Sequence, residues 1–143
     1  MAETLGRFRK LYATGVIAGR RINSVSLEAE AWLWRLMLIA DDFGNMHAEP
    51  DVLAGLAAPR RKLRASLAKR LTDELEHAGL LFRYLADDGE VYIHLEGFEK
   101  FQKPSNGRRL QRFPLHPGIR GNPVESGESG CGLLSNVNQE EEE

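Results

Sequence analysis

A chain of 143 residues, 42% of them hydrophobic, is long enough for one domain, and folding at this size buries roughly two-thirds of the surface the unfolded chain exposes. No uncharged apolar run approaches the roughly 18 residues of a membrane span. The start, MAETLGRFRK, lacks the apolar core of a secretory signal, and the single Cys131 excludes an intramolecular disulfide, so a cytoplasmic protein without membrane contact is expected.

The net charge of −2 hides an asymmetry. All 19 Lys/Arg lie in residues 1–120 beside 15 Asp/Glu, making that region +4, whereas residues 121–143 carry −6. Residues 1–25 read as a basic N-terminal arm packing on the domain. The first clear element is in VSLEAEAWLWRLMLIADDFGN: Ser26 is a good N-cap, Glu28 and Glu30 occupy the first turn, and the helix stops at Asp41-Asp42-Phe43-Gly44. Trp32, Leu33, Leu36, Met37, Ile39 and Ala40 keep helical spacing, and Trp34 with Leu38 adds a second apolar face. Either the N-terminal segment covers that face or it is a homodimer surface. NMHAE then supplies a short strand. EPDVLAGLAA places Pro50 in a first helical turn and turns Val52, Leu53 and Leu56 inward.

The third helix follows Pro59 and starts between Arg61 and Ser66, with Leu63, Leu67, Leu71, Leu75 and Ala78 on one stripe and Gly79 at its stop. A hairpin comes next. A two-residue Asp88-Gly89 turn would pair Ala86 with Val91, Tyr84 with Ile93 and Phe82 with Leu95, putting Phe82, Tyr84, Ala86, Val91, Ile93 and Leu95 on one face. Helix, strand, helix, helix and hairpin is the order of a winged helix-turn-helix. The expected fold is therefore α+β: three helices and a C-terminal hairpin wing over residues 26–98, with extended N- and C-terminal arms.

In this architecture the third helix commonly enters the major groove of DNA. Here its charges run against helix stability. Arg60, Arg61, Lys62, Arg64, Lys69 and Arg70 come first and Asp73, Glu74 and Glu76 last, although a helix N-terminus favours acids. Lys69/Asp73 and Arg70/Glu74 are likewise i,i+4 pairs in the less favourable order. On a helical wheel Lys62, Ser66, Lys69 and Asp73 lie opposite the leucine stripe, flanked by Arg61 and Arg70, so the basic end faces outward, either toward a nucleic acid or as an ordinary solvated face with snorkelling arginines. After the hairpin, GFEKFQKPSNGRRLQRFP continues without an evident helix. Phe98 and Phe101 anchor the strand exit and Phe113 returns to it, with stacking on bases as the alternative, while Lys100, Lys103, Arg108, Arg109 and Arg112 make residues 99–120 a basic arm for phosphate or minor-groove contact. Residues 121–143 are too poor in apolar side chains to offset chain entropy and read as a disordered acidic tail whose only foothold is Leu133-Leu134.

Three stretches, INSVSLEAEAWLWRLMLIADDFGNMHAEPDVL, LTDELEHAGLLFRY and YIHLEGFEKFQKPSNGRRLQRFP, resemble the N-terminal winged-helix domains of bacteriophage and prophage replication proteins of the replisome-organiser or primosomal type. The likeness covers roughly residues 7–114 and rests on the order of the motifs. It implies binding to double-stranded DNA in replication initiation, with replisome proteins such as a helicase or its loader as partners. A phage-type transcriptional regulator and a winged-helix protein-interaction module are the alternatives. Where such proteins continue into a partner-binding C-terminal part, this chain has its acidic tail, which could instead compete with DNA for the basic face.

Enzymatic chemistry finds little support. There is no G-x-x-x-x-G-K-[ST] loop, no Cys/His cluster with zinc spacing and no G-x-S-x-G turn, so no cofactor or metal is expected. His47, His77, His94 and His116 are scattered. The adjacent Asp41 and Asp42 point apart and bound a turn, and Asp87-Asp88 is turn chemistry that would repel DNA from the hairpin tip.

Overall fold

The computed structural model describes residues 8–103 and 109–116. Its elements are α1 (Ala13–Ala18), a 3-10 turn (Ile22–Ser24), α2 (Leu27–Ile39), β1 (Asn45–His47), α3 (Pro50–Ala57), α4 (Ala65–His77), β2 (Leu81–Leu85), β3 (Val91–Leu95) and α5 (Phe98–Phe101). Among the described residues the fold is α+β, with five α-helices and one antiparallel sheet of strand order β1-β3-β2.

Local chemistry sets the helix ends. The Ser26 Oγ accepts from the N–H of Ala29 at 3.1 Å and starts α2, and Pro50 opens α3 at its first turn. Gly79, at φ +83, ends α4: its N–H donates to the Glu76 carbonyl and that of Leu80 to the Leu75 carbonyl, each at 3.0 Å. The three long helices then pack together. Trp32 of α2 donates from Nε1 to the Thr72 hydroxyl of α4 at 3.0 Å within the core, and Arg35 donates to the Ala57 carbonyl of α3 at 2.7 Å. Ala29, Trp32, Leu33, Leu36 and Met37 form the buried face of α2. Its second face is covered only in part, since Trp34 packs on the core edge but Leu38 is exposed.

Several sequence expectations are corrected. In α3 only Leu53 of the three named residues is buried. Val52 and Leu56 are exposed, because Leu53, Ala54 and Ala57 form the inward face of this short helix. The third helix begins at Ala65, inside the expected range of Arg61 to Ser66, and Arg60, Arg61 and Lys62 precede it in a turn where Lys62 has the left-handed φ of 51°. A four-residue helix, α5, forms where none was expected, and α1 had no counterpart in the sequence reading.

The hairpin is shifted by one residue from the expected register. Leu85 pairs with Val91, Tyr84 with Tyr92, Arg83 with Ile93, Phe82 with His94 and Leu81 with Leu95. The loop is three residues, Asp87-Asp88-Gly89, with Gly89 at φ +84 and the Ala86 N–H donating to the Glu90 carbonyl at 2.9 Å. Asp88 builds the turn by accepting from the Glu90 N–H at 2.9 Å and the Tyr92 hydroxyl at 2.7 Å. Those bonds hold the Asp88 carboxyl below its ordinary range, Tyr92 contributing most, and push the Tyr92 hydroxyl up to about 12. The slip re-sorts the faces: Leu81, Ile93, Leu95 and Met46 meet the helices, while Phe82, Tyr84, Ala86 and Tyr92 form a second cluster with Phe113 on the other side.

Gly44 (φ +83), between α2 and β1, lies under Phe98. A Cβ there would sit 2.6 Å from the Phe98 Cβ and 2.7 Å from its Cγ. Gly44→Ala therefore combines backbone strain with a clash against a buried ring. It is expected to lower unfolding free energy by about 2 kcal/mol, visible as a lower urea midpoint at unchanged m-value.

Candidate nucleic-acid interface

The basic residues named from the sequence fall into two groups. In the first, the turn between α3 and α4 carries Arg60, Arg61 and Lys62, and Arg64 stands at the N-cap of α4; all four are exposed. Arginine cannot accept a hydrogen bond, so α4 has no side-chain cap, and its first turn holds no acid. The Ala65 and Ser66 N–H groups at the helix start are thus left without a side-chain acceptor, next in sequence to these cations and to the exposed Ser66, whereas Leu67 and Ala68 donate to the Arg64 carbonyl. Among the described residues the side chains of Arg60, Arg61, Lys62 and Arg64 make no ion pair.

Lys69 and Arg70, one turn further on, are exposed but paired. Lys69 meets Asp73 at 2.8 Å, and Arg70 lies 3.8 Å from Glu28 of α2. The expected Arg70/Glu74 pair is not the one formed, because Glu74 accepts from the Ser26 N–H at 2.6 Å and from its hydroxyl at 3.1 Å, latching α4 to the start of α2. Arg83 of β2 bonds Asp73 at 2.9 Å and also Glu76. Lys69 and then Arg83 hold the Asp73 carboxyl below its ordinary range against slight desolvation. The acidic C-terminal half of α4 is thereby spent on the fold and its basic start is not.

The second group follows the sheet. Lys100 lies 5.7 Å from the Phe101 ring centroid, Lys103 is exposed, and Arg109 donates to the Glu99 carbonyl at 2.9 Å with its guanidinium 5.9 Å from the Phe43 centroid. Arg112 is exposed, and Arg108 lies outside the described residues. No hydrogen bond or ion pair among the described residues joins Lys100, Lys103 or Arg109 to the α4 group.

The Leu110 to Phe113 stretch of this group is held by a buried pair of carboxylates. Asp41 and Asp42 are buried, at 0% and 3% exposure. The Asp41 carboxylate accepts from Phe43 N–H at 2.9 Å, Asn45 N–H at 3.0 Å, Arg112 N–H at 3.0 Å and Phe113 N–H at 3.2 Å. Asp42 exchanges two bonds with Leu110, its Oδ2 accepting at 2.8 Å and its N–H donating to the Leu110 carbonyl at 3.0 Å, and pairs with Arg9 at 3.1 Å. Arg9 also donates to the Met37 and Ala40 carbonyls at 2.9 and 2.8 Å. The C-terminal segment is thereby drawn over the outer face of the sheet. There Phe113 meets His47 at 4.9 Å, His116 meets Phe82 at 4.8 Å, and the Tyr84 hydroxyl donates to the Pro114 carbonyl at 2.6 Å. Phe98 is a core residue and Phe101 is half-buried against Tyr12, so both anchor the sheet exit.

Among the described residues no group of His, Cys, Asp or Glu is placed to hold a metal, and no helix is long and apolar enough to cross a membrane. Compared with known proteins, the chain matches no family model, no curated protein and no solved structure.

Proposed function

We propose that this chain is a double-stranded-DNA-binding protein of winged helix-turn-helix type, with α4 as the helix presented to DNA, α3 as the helix before it and the β2–β3 hairpin as the wing. The observation that carries the reading is the start of α4, where four exposed cations precede a helix that has neither a capping side chain nor an acid in its first turn. That arrangement lowers helix stability and favours an anion in its place. The element order and the packing of α2, α3 and α4 ahead of the hairpin support the same reading. The Lys100, Lys103, Arg109 and Arg112 segment is the second contact, for phosphates. The exposed Asp87, Asp88 and Glu90 at the hairpin tip keep the wing off the backbone of the duplex. A role in phage replication initiation, with a helicase or loader as partner, follows from the sequence resemblance.

If about five Lys/Arg contact phosphates, binding to a random-sequence duplex should weaken with salt at a log–log slope near −4 to −5. Arg61→Glu with Lys62→Glu alters exposed turn residues only. It is expected to leave the urea midpoint nearly unchanged, reduce duplex affinity at least tenfold and make the slope shallower by about 2. Duplex binding that ignores both salt and this double substitution would overturn the proposal.

A further inference from the structure

A groove of about 610 Å³ opens between α1, α2 and α5. It exists because α1 is held at its two ends and buries none of its residues. At the start, the Tyr12 hydroxyl donates to the Phe101 carbonyl at 3.0 Å, the two rings meet at 5.2 Å, and Gln102 exchanges bonds of 2.8 and 2.6 Å with the Lys10 backbone. At the end, the Asn23 amide donates to the Val16, Ile17 and Gly19 carbonyls. These fixed points hold α1 off α2, so the space is formed before any occupant arrives. Its lining is largely apolar, with Leu33, Trp34 and Met37 from α2 and Phe98 and Phe101 from α5, and its volume lies in the range of small-molecule sites. Gly15 adds room. It lines the groove, and a Cβ there would meet nothing within 4 Å, so the fold does not demand glycine at a helical position that alanine would strengthen.

The charges of the lining select the occupant. Among the described residues, Lys10, Arg21 and Lys100 line the groove with the single acid Glu96. Arg21 is engaged with the Gly79 carbonyl at 3.3 Å. Lys10 and Lys100 stand together at the Gln102 end, the first through its backbone bonds to that side chain and the second just before it on α5. Both are exposed, and neither amine makes an ion pair among the described residues; that of Lys100 lies 5.7 Å from the Phe101 ring centroid. We propose that the groove binds a small apolar carboxylate, with its hydrocarbon body against Leu33, Trp34 and Met37 and its carboxylate toward Lys10 and Lys100. A cationic head would meet two like charges at that end. The inference does not rest on the DNA-binding reading, although Lys100 belongs to both surfaces.

Decanoate is the probe and decanol its uncharged counterpart, each titrated within its solubility into the ¹⁵N-labelled full chain. Decanoate should shift the Trp34 indole and the Gly15 and Val16 amides saturably, and bind about tenfold more tightly than decanol. Gly55 in α3 and Gly89 at the hairpin tip should not move. Lys10→Gln with Lys100→Gln changes exposed side chains only and should bring decanoate down to the affinity of decanol. Gly15→Leu should weaken both probes at least about fivefold at an unchanged urea midpoint, by filling the space they take. Three results would each overturn the proposal: no saturable shift at the groove; equal affinity for decanoate and decanol in the wild-type chain; and shifts confined to Phe82, Tyr84 and Tyr92, which would place the probes on the outer face of the sheet.

Discussion

Asp41→Ala is expected to lower the unfolding free energy by about 4 kcal/mol and to detach the segment from Leu110 to His116 from the sheet. The carboxylate serves four backbone N–H groups, and the Asn45 donor is wholly buried. Deleting it strands the Phe43 and Asn45 donors, each worth about 1–3 kcal/mol when left unsatisfied. The Arg112 and Phe113 donors can recover bonds to water only by peeling away. Peeling uncovers Phe82, Tyr84 and Tyr92 and adds lost apolar burial to the total. Urea unfolding measures the free energy, and amide exchange at Phe113 measures the detachment. Asp41→Asn keeps an accepting oxygen but turns an NH2 group toward N–H donors, so it should fall between the two. Wild-type exchange at Phe113 in Asp41→Ala would show that the carboxylate does not hold this segment.

The second large effect is acid destabilisation through His94. Its ring is buried beneath the same segment, with Nδ1 at 2.7 Å from the Asn45 Oδ1, so the neutral tautomer donates from Nδ1. Burial pushes its pKa down from 6.5 to about 4, and the facing His116, itself lowered by desolvation, adds to the shift. The unfolded chain therefore binds a proton near pH 6.5 that the folded chain refuses until about pH 4. The resulting stability is fully present above pH 6.5 and drains away as pH falls toward 4, by roughly 3 kcal/mol at most. Urea midpoints between pH 7 and pH 4.5 should follow that course, and His94→Gln should flatten it while lowering stability at pH 7. A ¹H titration placing the His94 midpoint near 6.5 would remove this account.

Features governed by near neighbours were legible in the sequence. Ser26, Pro50 and Gly79 fixed their helix ends because each acts within one turn of itself. The hairpin was located correctly, but its register was not. Alternation selects a register when one face is polar, and here both faces are covered, by the helices on one side and by Phe113 and His116 on the other. With Leu81, Ile93 and Leu95 pointing one way and Phe82, Tyr84 and Tyr92 the other, two registers look equally apolar. The basic residues before α4 were found, but their conformation was not, since the left-handed Lys62 carries no sequence signal of the kind glycine gives. Asp41-Asp42 does bound the turn expected of it, Asp41 accepting from the Phe43 and Asn45 N–H groups, but the added partners at Leu110, Arg112 and Phe113 lie about 70 positions away, which no local pattern reveals.

The Asp41-Asp42 pair also bears on the order in which the fold is made and lost. Asp42 joins Arg9 across 33 positions and Leu110 across 68, closing two long loops at one point. Loop closure brings its reward only after both distant segments arrive, whereas α3 meets α2 across 22 positions, at Arg35 and Ala57, and α4 directly after a short turn, so that α4 then reaches α2 through an element already in place. The helical body is therefore the early part of the structure and the clasp the late part. In reverse, the clasp is expected to open first, leaving the helices paired and the sheet bare on one side, with amide exchange faster at Leu110 and Phe113 than in α2 and α4.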